Sequence, residues 1–228
     1  MNHQNSTLIT AADFLEVLAK NNGNMPTIST QYTVRGDLRL SSKTLGEEVK
    51  SLHIARCIFT GSVSVSELKL ERKKGEGMVR LDDCQFIKSV EVGQCSLRTL
   101  SVSEASLPRL HIWCSKIKDV WLGNLQIEKK LDFSDCDIGK DLHLSGCTFD
   151  EFALSGNNGP SRIAAAVIDE HYGKEHLLKP HHRGQLLECA CLAATQFRYL
   201  GVPVVITTAM ARRLNGTPVS EERRLAAA

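Results

Sequence analysis

Apolar residues two positions apart recur every five residues or so through the middle of this chain, and few folds accept that spacing. Val79 and Leu81, Val90 and Val92, Leu100 and Val102, Leu110 and Ile112, Val120 and Leu122, Leu131 and Phe133, Leu142 and Leu144, and Phe152 and Leu154 form one series. A second series runs between them: Cys84 with Phe86, Cys95 with Leu97, Ala105 with Leu107, Ser115 with Ile117, Leu125 with Ile127, Cys136 with Ile138, and Cys147 with Phe149. The buried face of a helix needs apolar spacings of three and four, whereas strand residues alternate between faces. Paired positions at spacing two, returning in units of ten to eleven residues, predict a solenoid of very short strands. Two units make one coil, which stacks Cys84, Ala105, Leu125 and Cys147 in one column and Cys95, Ser115 and Cys136 in another. With coils one strand spacing apart, roughly 4.8 Å, about six coils over residues 34–155 give a rod on the order of 30 Å long. Such a rod offers surface, not a pocket.

Both ends depart from the rhythm. Residues 1–30 predict a helical cap, with Thr10 as N-cap, Phe14, Leu15 and Leu18 on one face, and Asn21-Asn22-Gly23 followed by Pro26 as the stop. A cap is needed because a terminal coil otherwise exposes apolar interior and an unpaired strand edge. The solenoid itself is expected over residues 34–156. It is interrupted once, by the charged stretch Glu71-Arg72-Lys73-Lys74-Gly75-Glu76-Gly77, which cannot enter a core and is expected to project. After the turn cluster Gly156-Asn157-Asn158-Gly159-Pro160, residues 160–228 read as an α-helical region. Ser161 is the candidate cap of a helix through Ile163, Ala164, Val167 and Ile168, and further helices are expected over residues 185–200 and 206–214.

A formal net charge of +2, with acidic and basic residues close to balance along the rod, favours neither bulk nucleic-acid binding nor an acidic mimic of DNA. No stretch reaches the roughly 18 to 20 apolar residues of a membrane span, and residues 1–10 lack the apolar core of a secretory signal. Of the eight cysteines, those in the repeats alternate with Ala, Leu and Ser. They read as small buried hydrophobes in a reduced, cytoplasmic protein, not as a disulfide framework.

The units resemble those of the pentapeptide-repeat proteins, which place a small residue two positions before a central Leu or Phe. Cys84-Gln85-Phe86, Cys95-Ser96-Leu97, Ala105-Ser106-Leu107, Cys136-Asp137-Ile138 and Cys147-Thr148-Phe149 carry the resemblance. It implies a mainly β solenoid, a right-handed quadrilateral β-helix with five residues per face. Some members of that family bind DNA topoisomerases by resembling duplex DNA, and others are secreted bacterial effectors. Here, alternate units carry Val or Leu in place of the small residue, and several units run to eleven residues. A leucine-rich repeat also fits residues 97–107, but its repeat of about 20 to 29 residues has unlike halves, and these halves look alike.

Three candidate chemistries follow. His171, His176, His181, His182, Cys189 and Cys191 are zinc-type ligands, but they lack any Cys-x-x-Cys or His-Glu-x-x-His frame. The competing reading is a solvated histidine linker beside core cysteines. A thiol nucleophile paired with His182 is the enzymatic alternative. Arg212 and Arg213 close a segment that resembles a helix-turn-helix, with both positioned for phosphate contact. On the rod, Arg109, His111, Trp113, Lys116, Lys118 and Trp121 are expected to point outward, a tryptophan pair flanked by basic residues that reads either as a partner hot spot or as a packing site for the C-terminal helices.

The leading expectation is a non-enzymatic protein-binding module, a bacterial effector or inhibitor acting through the β-helix face. The C-terminal helices would add a dimer or partner contact; no metal, cofactor, catalytic residue or membrane is invoked. The alternatives are a DNA-binding regulator and a metal- or thiol-dependent enzyme.

Overall fold

The computed structural model describes residues 6–25, 31–70, 77–155, 162–166 and 204–206. It is a parallel β-solenoid of about six turns. The chain enters with β1 (Ser6–Thr10) and α1 (Ala11–Lys20). The first coil holds β2 (Gln31–Arg35), β3 (Leu38–Leu40), the short α2 (Ser42–Leu45) and β4 (Leu52–Ala55). The second holds β5 (Cys57–Phe59), β6 (Val63–Ser66) and β7 (Met78–Asp82), and the third β8 (Gln85–Phe86), β9 (Val90–Gly93) and β10 (Ser96–Ser103). Two longer strands form each of the next coils: β11 (Ser106–Trp113) with β12 (Lys116–Gly123), then β13 (Gln126–Ser134) with β14 (Asp137–Ser145). The last coil has β15 (Glu151–Ser155) and β16 (Arg162–Ala166), and β17 (Val204–Ile206) pairs onto β16.

Every strand pairing is parallel and joins one coil to the next. Ser96 pairs with Lys116 and Lys116 with Asp137, twenty and twenty-one residues on. In the early coils the steps are larger: Leu38 pairs with Val63 across the segment holding α2, and Val63 with Val90 across the charged insert. The half of each coil holding β3, β6, β9, β11, β13 and β15 builds one sheet, and the half holding β4, β7, β10, β12, β14 and β16 builds the other. The long strands bend at a corner where the register skips. Pro108 stands at such a skip, between Leu107 paired with Ile127 and Arg109 paired with Lys130, so its missing N–H interrupts no ladder bond.

The other corners have a backbone device that the apolar pattern does not announce. Arg56, Glu67, Asp83, Gln94, Glu104, Cys114, Asn124, Asp135 and Gly146 each end a half-coil with φ between +45° and +64°. That left-handed conformation costs a non-glycine residue about 1 kcal/mol or more. An inter-coil hydrogen bond offsets it each time, as when Gln94 N–H donates to Trp113 O (3.1 Å) and Glu104 N–H to Gly123 O (2.9 Å). The residue that follows turns into the narrow interior and is mostly small. Its side chain closes the corner by donating to the carbonyl two residues back: Cys84 Sγ to Asp82 O (3.2 Å), Cys95 Sγ to Gly93 O (3.2 Å), Ser115 Oγ to Trp113 O (2.8 Å). The two expected columns are present, since Gln85, Ser106 and Gln126 pair in one ladder and Ser96, Lys116 and Asp137 in another.

One apolar core runs through the coils. At its N-terminal end Phe59 and Phe86 stack with centroids 5.1 Å apart, and Phe14 from α1 meets Phe59 edge-on at 5.7 Å. Phe14 and Leu18 are fully buried and Leu15 partly so, making α1 the expected lid on the coil interior. Thr10 is its N-cap, accepting from Asp13 N–H, and Gly23 N–H returns to Leu18 O beyond its last turn. The strand β1 ahead of the helix was not expected; it extends the sheet by pairing with β2.

The C-terminal expectation needs a correction. Arg162–Ala166 is a strand, not the start of a helix capped by Ser161. Ile163 pairs with Leu142 and Ala165 with Leu144, so the register of the preceding coil overrides the helix preference of three successive alanines. Ile206, expected to open a helix, ends β17. Residues 167–203 and 207–228, with the rest of the expected helical region, lie outside the described residues.

Candidate interaction surface

The six outward residues singled out on the rod divide between the two sheets. Arg109, His111 and Trp113 lie on β11, and Lys116, Lys118 and Trp121 on β12. Successive half-coils alternate between sheets, so the two tryptophans do not form one patch.

On the first sheet, His111 pairs in register with Glu91 on one side and Asp132 on the other. The Asp132 carboxylate is nearly buried, and two cations compensate it: Arg109 Nη2 at 2.8 Å and Lys130 Nζ at 3.6 Å. Lys130 also reaches Glu151 at 2.8 Å, and that carboxylate, more than any other neighbour, holds the Lys130 ammonium above its ordinary pKa. His111 Nε2 lies 2.9 Å from Ser134 Oγ. Serine, histidine and aspartate thus meet without forming a triad, because Asp132 is committed to the two cations. Trp113 is half-buried and packs back onto Gly93 of the preceding coil.

On the second sheet Trp121 belongs to the ladder His53, Arg80, Ser101, Trp121, His143. Its indole stacks on the His143 imidazole with centroids 3.6 Å apart and planes 11° from parallel, yet the residue remains 49% exposed. Lys116 and Lys118 are exposed on the same strand, Lys118 at the corner where the register skips. His143, Ser101, Asp132, Lys130 and Glu151 escaped the sequence reading. Four of them stand about one coil from one of the six outward residues, and Glu151 stands one coil beyond Lys130, so the repeat length itself points to them.

No two of the six described cysteines form a disulfide with each other. Burial pushes the Cys95 thiol up to about 11 and the Cys136 thiol upward. Cys57 is also raised, first by its hydrogen bond with Cys84 and then by burial. Thiols held protonated in this way are poor nucleophiles and poor metal ligands. Among the described residues no group of three His, Cys, Asp or Glu side chains is placed to hold a metal ion. His171, His176, His181, His182, Cys189, Cys191, Arg212 and Arg213 lie outside the described residues. No helix among the described residues is long and apolar enough to cross a membrane.

A stack of parallel coils with aromatic and charged columns on its outer faces defines the class, a parallel β-solenoid. Comparison with protein-family models, curated proteins and solved structures found no match for this chain.

Proposed function

We propose that this chain is a non-enzymatic protein-binding module that engages its partner through an outer face of the solenoid. The observation that carries the reading is Trp121, held against His143 on a rigid sheet and still 49% exposed. An exposed aromatic anchor whose orientation is fixed beforehand loses little freedom when a partner covers it, which is how interface hot spots are built. The raised thiols of Cys57, Cys95 and Cys136 weigh against catalysis at those three residues, and buried thiols suit a reducing compartment such as the cytoplasm. Cysteines at the inward corners and coil steps of twenty and twenty-one residues are in keeping with a pentapeptide-repeat-like, quadrilateral β-helix. A dimer or partner contact through residues 160–228 belongs to the same proposal.

The test is capture from lysate by the tagged full chain, run beside Trp121→Ala and with thermal melts of both. A partner retained by wild type and lost by a variant with an unchanged melt supports the reading. Equal capture by both chains would remove this face from it.

A further inference from the structure

We infer that the partner places an arginine side chain over Ser101, against the open face of Trp121. This rests on the protein-binding reading and names the chemistry its anchor recognises.

The ladder supplies the geometry. His53, Arg80, Ser101, Trp121 and His143 occupy successive coils at one register position. Because the indole stacks on His143, its plane lies across the rod and its second face turns toward Ser101. Serine is too short to cover an indole. From Trp121 to Arg80 is two coil spacings, roughly 9.6 Å, with only that hydroxymethyl group between them. The gap admits one planar group stacked on the indole, with Arg80 beyond it.

The flanking charges select which planar group. Asp119 lies two residues before Trp121 on β12 and pairs in register with Thr99, beside the gap. It is half-buried and makes no ion pair or side-chain hydrogen bond among the described residues. On the far side, Asp82 pairs in register with Ser103 and is already engaged by Arg80 at 2.7 Å and by the Ser103 hydroxyl. Arg80 is thereby drawn toward its own strand neighbour, which reduces its charge toward an incoming group. An aromatic face beside an unused carboxylate fits a guanidinium, which is planar, stacks on indole and donates in a fork that a carboxylate accepts. A nucleobase would bring a phosphate toward Asp119 and Asp82, and a neutral ring would leave Asp119 unused.

The test uses 15N-labelled full chain and three probes: the tripeptides Gly-Arg-Gly, Gly-Lys-Gly and Gly-Tyr-Gly. Gly-Arg-Gly is expected to move the Trp121 indole N–H and the Ser101 and Thr99 amides while the Trp113 indole stays in place. Gly-Lys-Gly is expected to bind several-fold more weakly. Asp119→Asn is expected to weaken Gly-Arg-Gly about fivefold, the size of one exposed ion pair. No movement of the Trp121 signal, equal binding by Asp119→Asn, or tighter binding of Gly-Tyr-Gly overturns the assignment. If Trp121→Ala loses the captured partner but Gly-Arg-Gly leaves the indole unmoved, the protein-binding reading survives and the arginine assignment falls. Unchanged capture by Trp121→Ala removes the reading on which the assignment rests.

Discussion

The indole of Trp113 occupies the space a side chain would need at Gly93 in the preceding coil: a Cβ there would collide with Cε2, Cζ2 and Nε1 of the ring. The two residues pair in register, Trp113 on β11 and Gly93 on β9. Trp113 therefore forms part of the wall, while Trp121, stacked on one side only, stands open. Gly93→Ala is expected to displace the Trp113 ring and destabilise the fold by about 1–3 kcal/mol, the usual cost of overpacking. Denaturant unfolding gives the loss, and a red-shifted tryptophan emission reports the displaced ring.

The left-handed corners make an opposite pair of predictions. Glu104 has φ +51° and its side chain is exposed, so Glu104→Gly relieves backbone strain without disturbing the core. It is expected to stabilise by about 0.5–1 kcal/mol, the strain relieved less the extra freedom of glycine in the unfolded chain. Gly146→Ala is expected to destabilise, because Gly146 has φ +64° and a Cβ there would strike Asn124 Oδ1. Thermal melts of the two variants should move in opposite directions.

His53 gives the fold a dependence on pH. Burial lowers its pKa first, the Arg80 guanidinium adds to this, and Asp82 opposes it only in part. With the folded value below the ordinary one of about 6.5, the unfolded chain binds more protons beneath that pH. The stabilisation from neutral His53 is thus present above pH about 6.5 and is lost as pH falls through the lowered folded value. Melts across this range are expected to slope downward toward acid, and His53→Gln to flatten the slope.

Phe14 joins the capping helix to the Phe59 and Phe86 stack. Phe14→Ala is expected to cost about 3–5 kcal/mol, the range for a fully buried aromatic. Amide exchange should then quicken first in β2 and β5, which lie beneath the helix, and least in β12 and β14. Uniform quickening along the rod would mean that the coils unfold as one unit.

The inward pairs from Val79 to Leu144 were legible in the sequence because an alternating strand buries every second residue and the coil repeats that choice at a constant length. The capping helix was legible from Thr10 and the Phe14, Leu15, Leu18 face, since capping and amphipathicity are local. Cysteine at the corners was legible as a small buried residue, but its hydrogen bond to the carbonyl two residues back was not.

What the sequence determined by itself, then, was period, polarity and cap, all of which depend on neighbours along the chain. Tertiary structure decided the rest. The positive φ at Gln94 and Glu104 is held by hydrogen bonds to the next coil, about twenty residues away, and no glycine marks it. The strand Arg162–Ala166 forms because β14 offers it a register, not because its own residues prefer it. Trp113 and Trp121, eight residues apart, lie on different sheets, whereas Trp121 and His143 stack because one full coil separates them. Which side chains share a surface depends on how the coils stack, and stacking joins residues that the chain keeps far apart.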